Sequence, residues 1–176
     1  MRKLASATVL GLLVAGCGTS NGPEPVRSVP RSRPPVVRSI SISPAQYVAT
    51  ASSASLYVIK ASELVSQRAA GSRAGNLARQ VAADQEGVGA QLSFAGRRLD
   101  LLPSATLDPA YQAMLDALAA SPDPVGTYVQ QLNGLLRQTA AFHRQYERYG
   151  TSPTLRPVAS MAAPVFEREI NQLRGL

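Results

Sequence analysis

The side chains in this sequence that are capable of chemistry are few and far apart. Asp84 and Gln85 stand together in "VAADQEG", Glu169 lies in "FEREI", and His143 in "FHRQY" is the single histidine among 176 residues. Acids facing inward from different helices of a bundle are the raw material of carboxylate metal centres. Such a dimetal centre asks for about four carboxylates and two histidines, with Glu-x-x-His repeated on two helices. Here Ala140 stands three residues before His143, and a lone imidazole assembles no site. His143 therefore reads as a partly exposed packing residue. Other chemistries lack parts as well: there is no second histidine for a triad, nor a phosphate loop or a zinc-ligand spacing. The sequence thus leads us to expect no catalytic residue, no metal ligand and no cofactor. Cys17 is the only cysteine, so no disulfide forms within the chain.

The segment before Cys17 gives that thiol a use. In "MRKLASATVLGLLVAGCGTS", Arg2 and Lys3 precede an apolar run, Leu4 to Val14, too short to span a bilayer as a mature helix. Val14-Ala15-Gly16-Cys17 resembles a bacterial lipobox, in which the cysteine is acylated and becomes the new N-terminus; the alternative is an ordinary secretory signal. On the first reading residues 1–16 are a lipoprotein signal peptide and Cys17 carries the palmitate-type chains that hold the protein to a membrane. Gly18 after the cysteine, by resemblance to other lipoproteins, implies the outer membrane, with the protein facing the periplasm.

Residues 17–43 read as a disordered Pro/Arg-rich tether. Pro23, Pro25, Pro30, Pro34 and Pro35 prevent a regular helix, and few large apolar groups are present. Arg27, Arg31, Arg33 and Arg38 against Glu24 give it a net charge of +3, and Arg2 and Lys3 account for two more of the formal +7. The remaining domain carries only +2, so the basic balance belongs to the tether. Arginines there are suited to an anionic lipid or wall surface, or serve as a solvated spacer. Nucleic acid is a poor partner for an exported, lipidated chain.

From residue 44 to 176 the chain reads as one helical domain. Ser43-Pro44, Asp108-Pro109, Asp123-Pro124 and Ser152-Pro153 each pair a capping oxygen with a proline suited to the first helical position. Gly71-Ser72 adds a break and Gly150 a stop. The expected helices are 44–70, 73–99, 109–120, 124–149 and 153–174. Apolar lines run through Ala51, Ser55, Val58, Ser62 and Val65; through Leu77, Val81, Asp84, Val88 and Leu92; through Tyr128, Leu132, Leu135, Thr139, Phe142, Tyr146 and Tyr149; and through Val158, Met161, Val165, Glu169 and Leu173. Four long helices and a short one predict an all-α four-helix bundle, the short helix crossing between the second and third long ones. Asp84 and Glu169 fall on inward lines, where a carboxylate needs a partner or a raised pKa. Gly87 and Gly89 weaken the second helix or admit a close neighbour, and Pro164 bends the last helix one turn before Glu169.

The fragments "YVATASSASLYVIKASELVSQRA", "QVAADQ", "YQAMLDALAASP", "YVQQLNGLLRQTAAFHRQYERYG" and "LRPVASMAAPVFEREI", in this order, resemble the exported bacterial proteins grouped as domain of unknown function 4142. That group is labelled "predicted outer membrane protein" and implies a ferritin-like four-helix fold. The resemblance places a first-helix Glu at Val58, a His of Met-x-x-Asp-His at Gln85 with the Asp kept as Asp84, a third-helix His at Leu136, and a His at Glu169 after the kept Pro164. Every ligand-like imidazole, and the first glutamate, is replaced.

The expected role is a lipid-anchored envelope lipoprotein whose helical domain is a non-catalytic binding or structural module. It would meet an envelope protein or an anionic wall or lipid surface, and Asp84, Gln85 and Glu169 would form a polar core left from a vestigial site. Two alternatives stand beside it: a metal-binding or redox ferritin-like periplasmic protein, and a carrier of a small apolar ligand between its helices.

Overall fold

The computed structural model describes residues 41–176. Cys17, Arg27, Arg31, Arg33 and Arg38 lie outside the described residues, as does most of the tether. Five helices follow: α1 Pro44–Arg68, α2 Arg73–Arg97, α3 Pro109–Ala120, α4 Pro124–Tyr149 and α5 Arg156–Leu173. Four of them start where a side-chain oxygen captures an otherwise unbonded amide. Ser43 Oγ accepts from Gln46 N at 3.1 Å and Ser72 Oγ from Gly75 N at 3.1 Å. Asp108 Oδ1 accepts from Ala110 N at 2.9 Å and Asp123 Oδ1 from Gly126 N at 2.9 Å. Each such cap is worth about 1 kcal/mol.

The fifth start differs from the expectation of a helix from Pro153. Ser152 does cap: its Oγ accepts from Leu155 N at 3.3 Å, and its carbonyl accepts from Arg156 N at 3.1 Å. It closes a single turn that seats Leu155 in the core, and the α-helix begins only at Arg156. At the other extreme α2 ends in a Schellman motif. Leu101 N reaches back to Gly96 O at 2.9 Å, and Asp100 takes φ 56° where glycine is the usual occupant. The packed chain also begins earlier than the expected tether boundary, because Ile42 is buried with Tyr146 and Leu155.

Short loops make α1/α2 and α4/α5 into two antiparallel hairpins, whose partners pack extensively. The hairpins face each other with α1 beside α4 and α2 beside α5. Tyr47 meets Tyr146 while Ser62 meets Tyr128, so α1 and α4 run in opposite directions. It follows that α2 and α4 run parallel, and the segment between them must travel the bundle's length. This is the four-helix bundle with one long crossover that the sequence implied. Within the crossover, α3 lies over the α1/α4 face and buries only Leu118 fully. It is held there by Tyr111 stacked on Tyr57, ring centroids 5.2 Å apart, and by a polar chain. Tyr57 OH donates to Gln131 Oε1 at 2.6 Å, and Gln131 Nε2 donates to the Met114 carbonyl at 3.0 Å.

The apolar line of α1 faces inward as read: Ala51, Ser55, Val58, Ser62 and Val65 are all buried. Three corrections concern the others. In α2 the inward residue between Val81 and Val88 is Gln85, and Asp84 stands at the rim. In α4 His143 rather than Phe142 points to the core, and Tyr149 is 65% exposed. In α5 the line runs Ala159, Ala162, Phe166, Glu169 and Leu173, leaving Met161 exposed. Gly87 and Gly89 have no atom within 4 Å of a would-be Cβ, so they admit no close neighbour and merely loosen the helix. Pro164 sits on the exposed face of α5, where water can satisfy the carbonyl it leaves unbonded.

Candidate functional site

The interior of the bundle holds two polar constellations. The first joins the hairpins through α2 and α5. Gln85 and Glu169 are both fully buried, and Gln85 Nε2 donates to Glu169 Oε1 and Oε2 at 3.0 and 2.9 Å. Burial pushes the Glu169 carboxyl up to about 8. The Gln85 hydrogen bond pulls it down, Asp84 pushes it up and Arg168 pulls it down, each less than burial does. At neutral pH Glu169 is therefore mostly protonated. Gln85 Oε1 is buried with no hydrogen-bond partner.

Asp84 does not join them. Its Oδ2 accepts from Arg168 Nη2 at 2.8 Å, a half-exposed ion pair between α2 and α5 worth at most about 1 kcal/mol. The register brings Asp84 opposite Arg168 and Gln85 opposite Glu169, so charge meets charge at the rim and amide meets acid inside. A second inter-helix pair ties α4 to α5. Arg144 donates from Nε and Nη2 to both oxygens of Glu167 at 2.9 Å, and from Nη1 to Glu147.

The second constellation surrounds His143 and was missed by sequence reasoning. The imidazole is not partly exposed but fully buried, its ring centroid 5.1 Å from that of Phe166. Tyr47 OH lies 2.9 Å from Nδ1, and Tyr47 stacks on Tyr146 with centroids 3.8 Å apart. Burial pushes the His143 pKa down to about 4, so the ring is neutral. Nδ1 shares a hydrogen bond with the Tyr47 hydroxyl, and Nε2 has no partner. Burial also holds the Tyr47 phenol above its ordinary value. The signal that was available is the aromatic and imidazole run at 142, 143 and 146 on one helix; its partner, Tyr47, is 96 residues away.

Val58 and Leu136, the other two ligand-like positions, are fully buried in one hydrophobic cluster with Tyr57, Leu132 and Phe166. A carboxylate–histidine metal centre does not fit these residues. Val58 and Leu136 offer no lone pair, Glu169 is bonded to an amide, Asp84 is turned to Arg168, and His143 Nδ1 is taken by Tyr47. Among the described residues no three His, Cys, Asp or Glu side chains gather closely enough to hold an ion. What the interior can do chemically is retain protons: one acid kept neutral, one imidazole kept neutral.

A family model described as "Domain of unknown function (DUF4142)" matches residues 31–176. No curated protein and no solved structure matches the chain.

Proposed function

The chain belongs to the DUF4142 family, and from that premise we propose that it is a lipid-anchored envelope protein whose bundle is a non-catalytic binding or structural module. The observation that carries the non-catalytic half is the occupancy of the ligand-like positions. Two are hydrocarbon in the core and two are a hydrogen-bonded acid and amide. That is the interior of a scaffold that has closed over the place where chemistry would stand. The anchoring half rests on Val14-Ala15-Gly16-Cys17 and on the absence of any other cysteine. No helix of the described residues is long and apolar enough to cross a membrane, and on this reading the acyl chains at Cys17 supply the attachment to the outer membrane. The carrier and redox readings have no comparable support in the interior.

Two measurements test the proposal together. Cells grown with labelled fatty acid should yield labelled protein in the outer-membrane fraction, and Cys17→Ser should lose both label and fractionation. Elemental analysis of protein purified without chelators should find no stoichiometric iron, manganese, copper or zinc. Protein that stays in the membrane fraction without label refutes the anchor. One metal held tightly per chain refutes the non-metal reading.

A further inference from the structure

One end of the bundle differs from the other. The start of α1, the end of α2, the end of α4 and the start of α5 meet there, joined by the cluster of Ile42, Tyr47, Leu92, Tyr146 and Leu155. This is also the end at which the tether enters the domain. It displays three large apolar side chains to solvent: Phe94 at 59% exposure, Leu102 at 72% and Tyr149 at 65%. Singly exposed apolar residues are ordinary on any surface. The same end carries exposed Arg97, Arg98, Arg148 and Arg156, none of which is in an ion pair among the described residues, Arg156 donating to the Glu147 carbonyl. Phe94 and Arg98 line one open cleft of about 450 Å³ between α2 and the start of α5. Of the acids at this end, Glu147 is engaged by Arg144 and Ser160, which leaves Asp100 and, beside Ala49 and Thr50, Asp108 as opposing charges.

We propose that this end of the bundle docks on an anionic phospholipid surface, with Phe94, Leu102 and Tyr149 entering the headgroup layer and Arg97, Arg98 and Arg148 meeting phosphates. The proposal rests on the reading of Cys17 as an acylated anchor. Aromatic and aliphatic groups beside arginines are the chemistry of an interfacial membrane contact, in which the apolar part enters and the cation stays at phosphate level. The length of the tether selects the membrane as occupant. The two dozen residues between Cys17 and Ile42 can reach at most about 75 Å at the 3.1 Å per residue of a Pro-rich chain, and they join the domain at the near end. The near end is thereby kept at high local concentration against the bilayer. The far end, with Arg68, Arg73 and Arg174, lies about 38 Å further away along helices of this length, several Debye lengths beyond the surface charge. Among the described residues the far end exposes one large apolar side chain, Leu176, against three at the near end, and the near end is the one the tether enters.

The test uses the mature chain from residue 17 carrying Cys17→Ser, so that no acyl chain contributes. Its partitioning is measured by sedimentation with phosphatidylcholine vesicles, with and without phosphatidylglycerol. Each arginine near an anionic surface is worth about 1 kcal/mol, or fivefold. Arg97→Gln, Arg98→Gln and Arg148→Gln together should thus cost about a hundredfold in binding to the anionic vesicles. Replacing Arg68, Arg73 and Arg174 in the same way should change nothing. All six side chains are exposed, and unchanged circular dichroism confirms that each variant is folded. The chain has no tryptophan, so Leu102→Trp is a clean probe. Its emission should shift to the blue and be quenched by brominated acyl chains, while Leu176→Trp at the far end should not respond. The proposal is overturned if the parent ignores phosphatidylglycerol, if the near-end arginine variant binds like the parent, or if both tryptophans respond alike. Because the chain is unacylated, these results are independent of whether wild-type Cys17 carries lipid in the cell.

Discussion

Replacing Glu169 with Gln should make the protein progressively more stable than the wild type as pH rises from 4.5 to about 8, and leave it almost unchanged below 4.5. The carboxyl is fully buried, and its pKa moves from an ordinary 4.5 to about 8 in the folded chain, chiefly through burial. An acid whose folded pKa is raised holds its proton longer in the native than in the unfolded state. Stability is then greatest below 4.5 and is lost as pH rises through about 8. At about 1.36 kcal/mol per pH unit, the loss across that interval approaches 5 kcal/mol. His143 works in the opposite direction over part of the range. Its folded pKa is lowered to about 4, so it contributes stability that is present above 6.5 and lost as pH falls toward 4. The two slopes oppose each other from 4.5 to 6.5, and between 6.5 and 8 Glu169 acts alone. That upper window, where roughly 2 kcal/mol separates its ends, is the place to measure. Urea unfolding of wild type and Glu169→Gln at pH 5, 6.5, 8 and 9 gives the difference directly. The variant, whose amide has no proton to lose, should gain on the wild type steadily from 5 to 8 and level off by 9, since the His143 contribution is common to both. A difference that is flat from 6.5 to 9 would refute a neutral, buried Glu169.

Three further outcomes follow from the packing. Tyr47→Phe leaves His143 Nδ1 buried without its hydrogen-bond partner and should cost about 1–3 kcal/mol in urea unfolding. Adding His143→Leu should recover part of that, because neither polar partner is then stranded. Gly87→Ala and Gly89→Ala meet open space and should each stabilise by up to about 1 kcal/mol. Gly96→Ala should instead destabilise, since its Cβ would run into the Leu101 carbonyl of the α2 terminus; thermal melts separate the two cases. Asp100→Gly should stabilise by about 0.5–1 kcal/mol, because Asp100 stands at φ 56°, a conformation glycine adopts without steric cost.

The caps made the helices legible. A hydroxyl or carboxylate before proline is a local signal, and three of the five starts follow it directly. Which residue on each helix faces inward was harder to read. Between Val81 and Val88 a seven-residue interval is filled equally well by a step to 84 or to 85. Both are polar, so hydrophobicity could not choose between Asp84 and Gln85. The choice was made across the bundle, where Arg168 met the charge and Glu169 met the amide. The same ambiguity hid Phe166, because alanines at 159, 162 and 163 flank it and give α5 no strong apolar edge. His143 was placed too near the surface for a related reason. A polar ring beside Phe142 reads as the wetter of the two, unless one knows that a tyrosine hydroxyl 96 residues earlier will receive it. The candidate site was legible as a set of substitutions, Val58, Gln85, Leu136 and Glu169, but the bond between the last Gln and Glu belongs to tertiary structure.

The crossover has a consequence for the order in which the bundle assembles and comes apart. Each hairpin closes through a loop of a few residues, so α1 with α2 and α4 with α5 are fast, sequence-local folding units. Their docking alone requires contacts across the whole chain, and the buried Gln85–Glu169 and Tyr47–His143 pairs form only at that step. The crossover between them buries only Leu118 fully, with Leu107, Tyr111, Met114 and Leu115 partly buried against the core. It is the last piece to settle and the first to lift away, leaving the two hairpins clasped beneath it. Amide exchange would then read α3 as a low-protection segment lying on a slow-exchanging body. The polar chain from Tyr57 through Gln131 to the Met114 carbonyl is the latch whose opening sets that exchange rate.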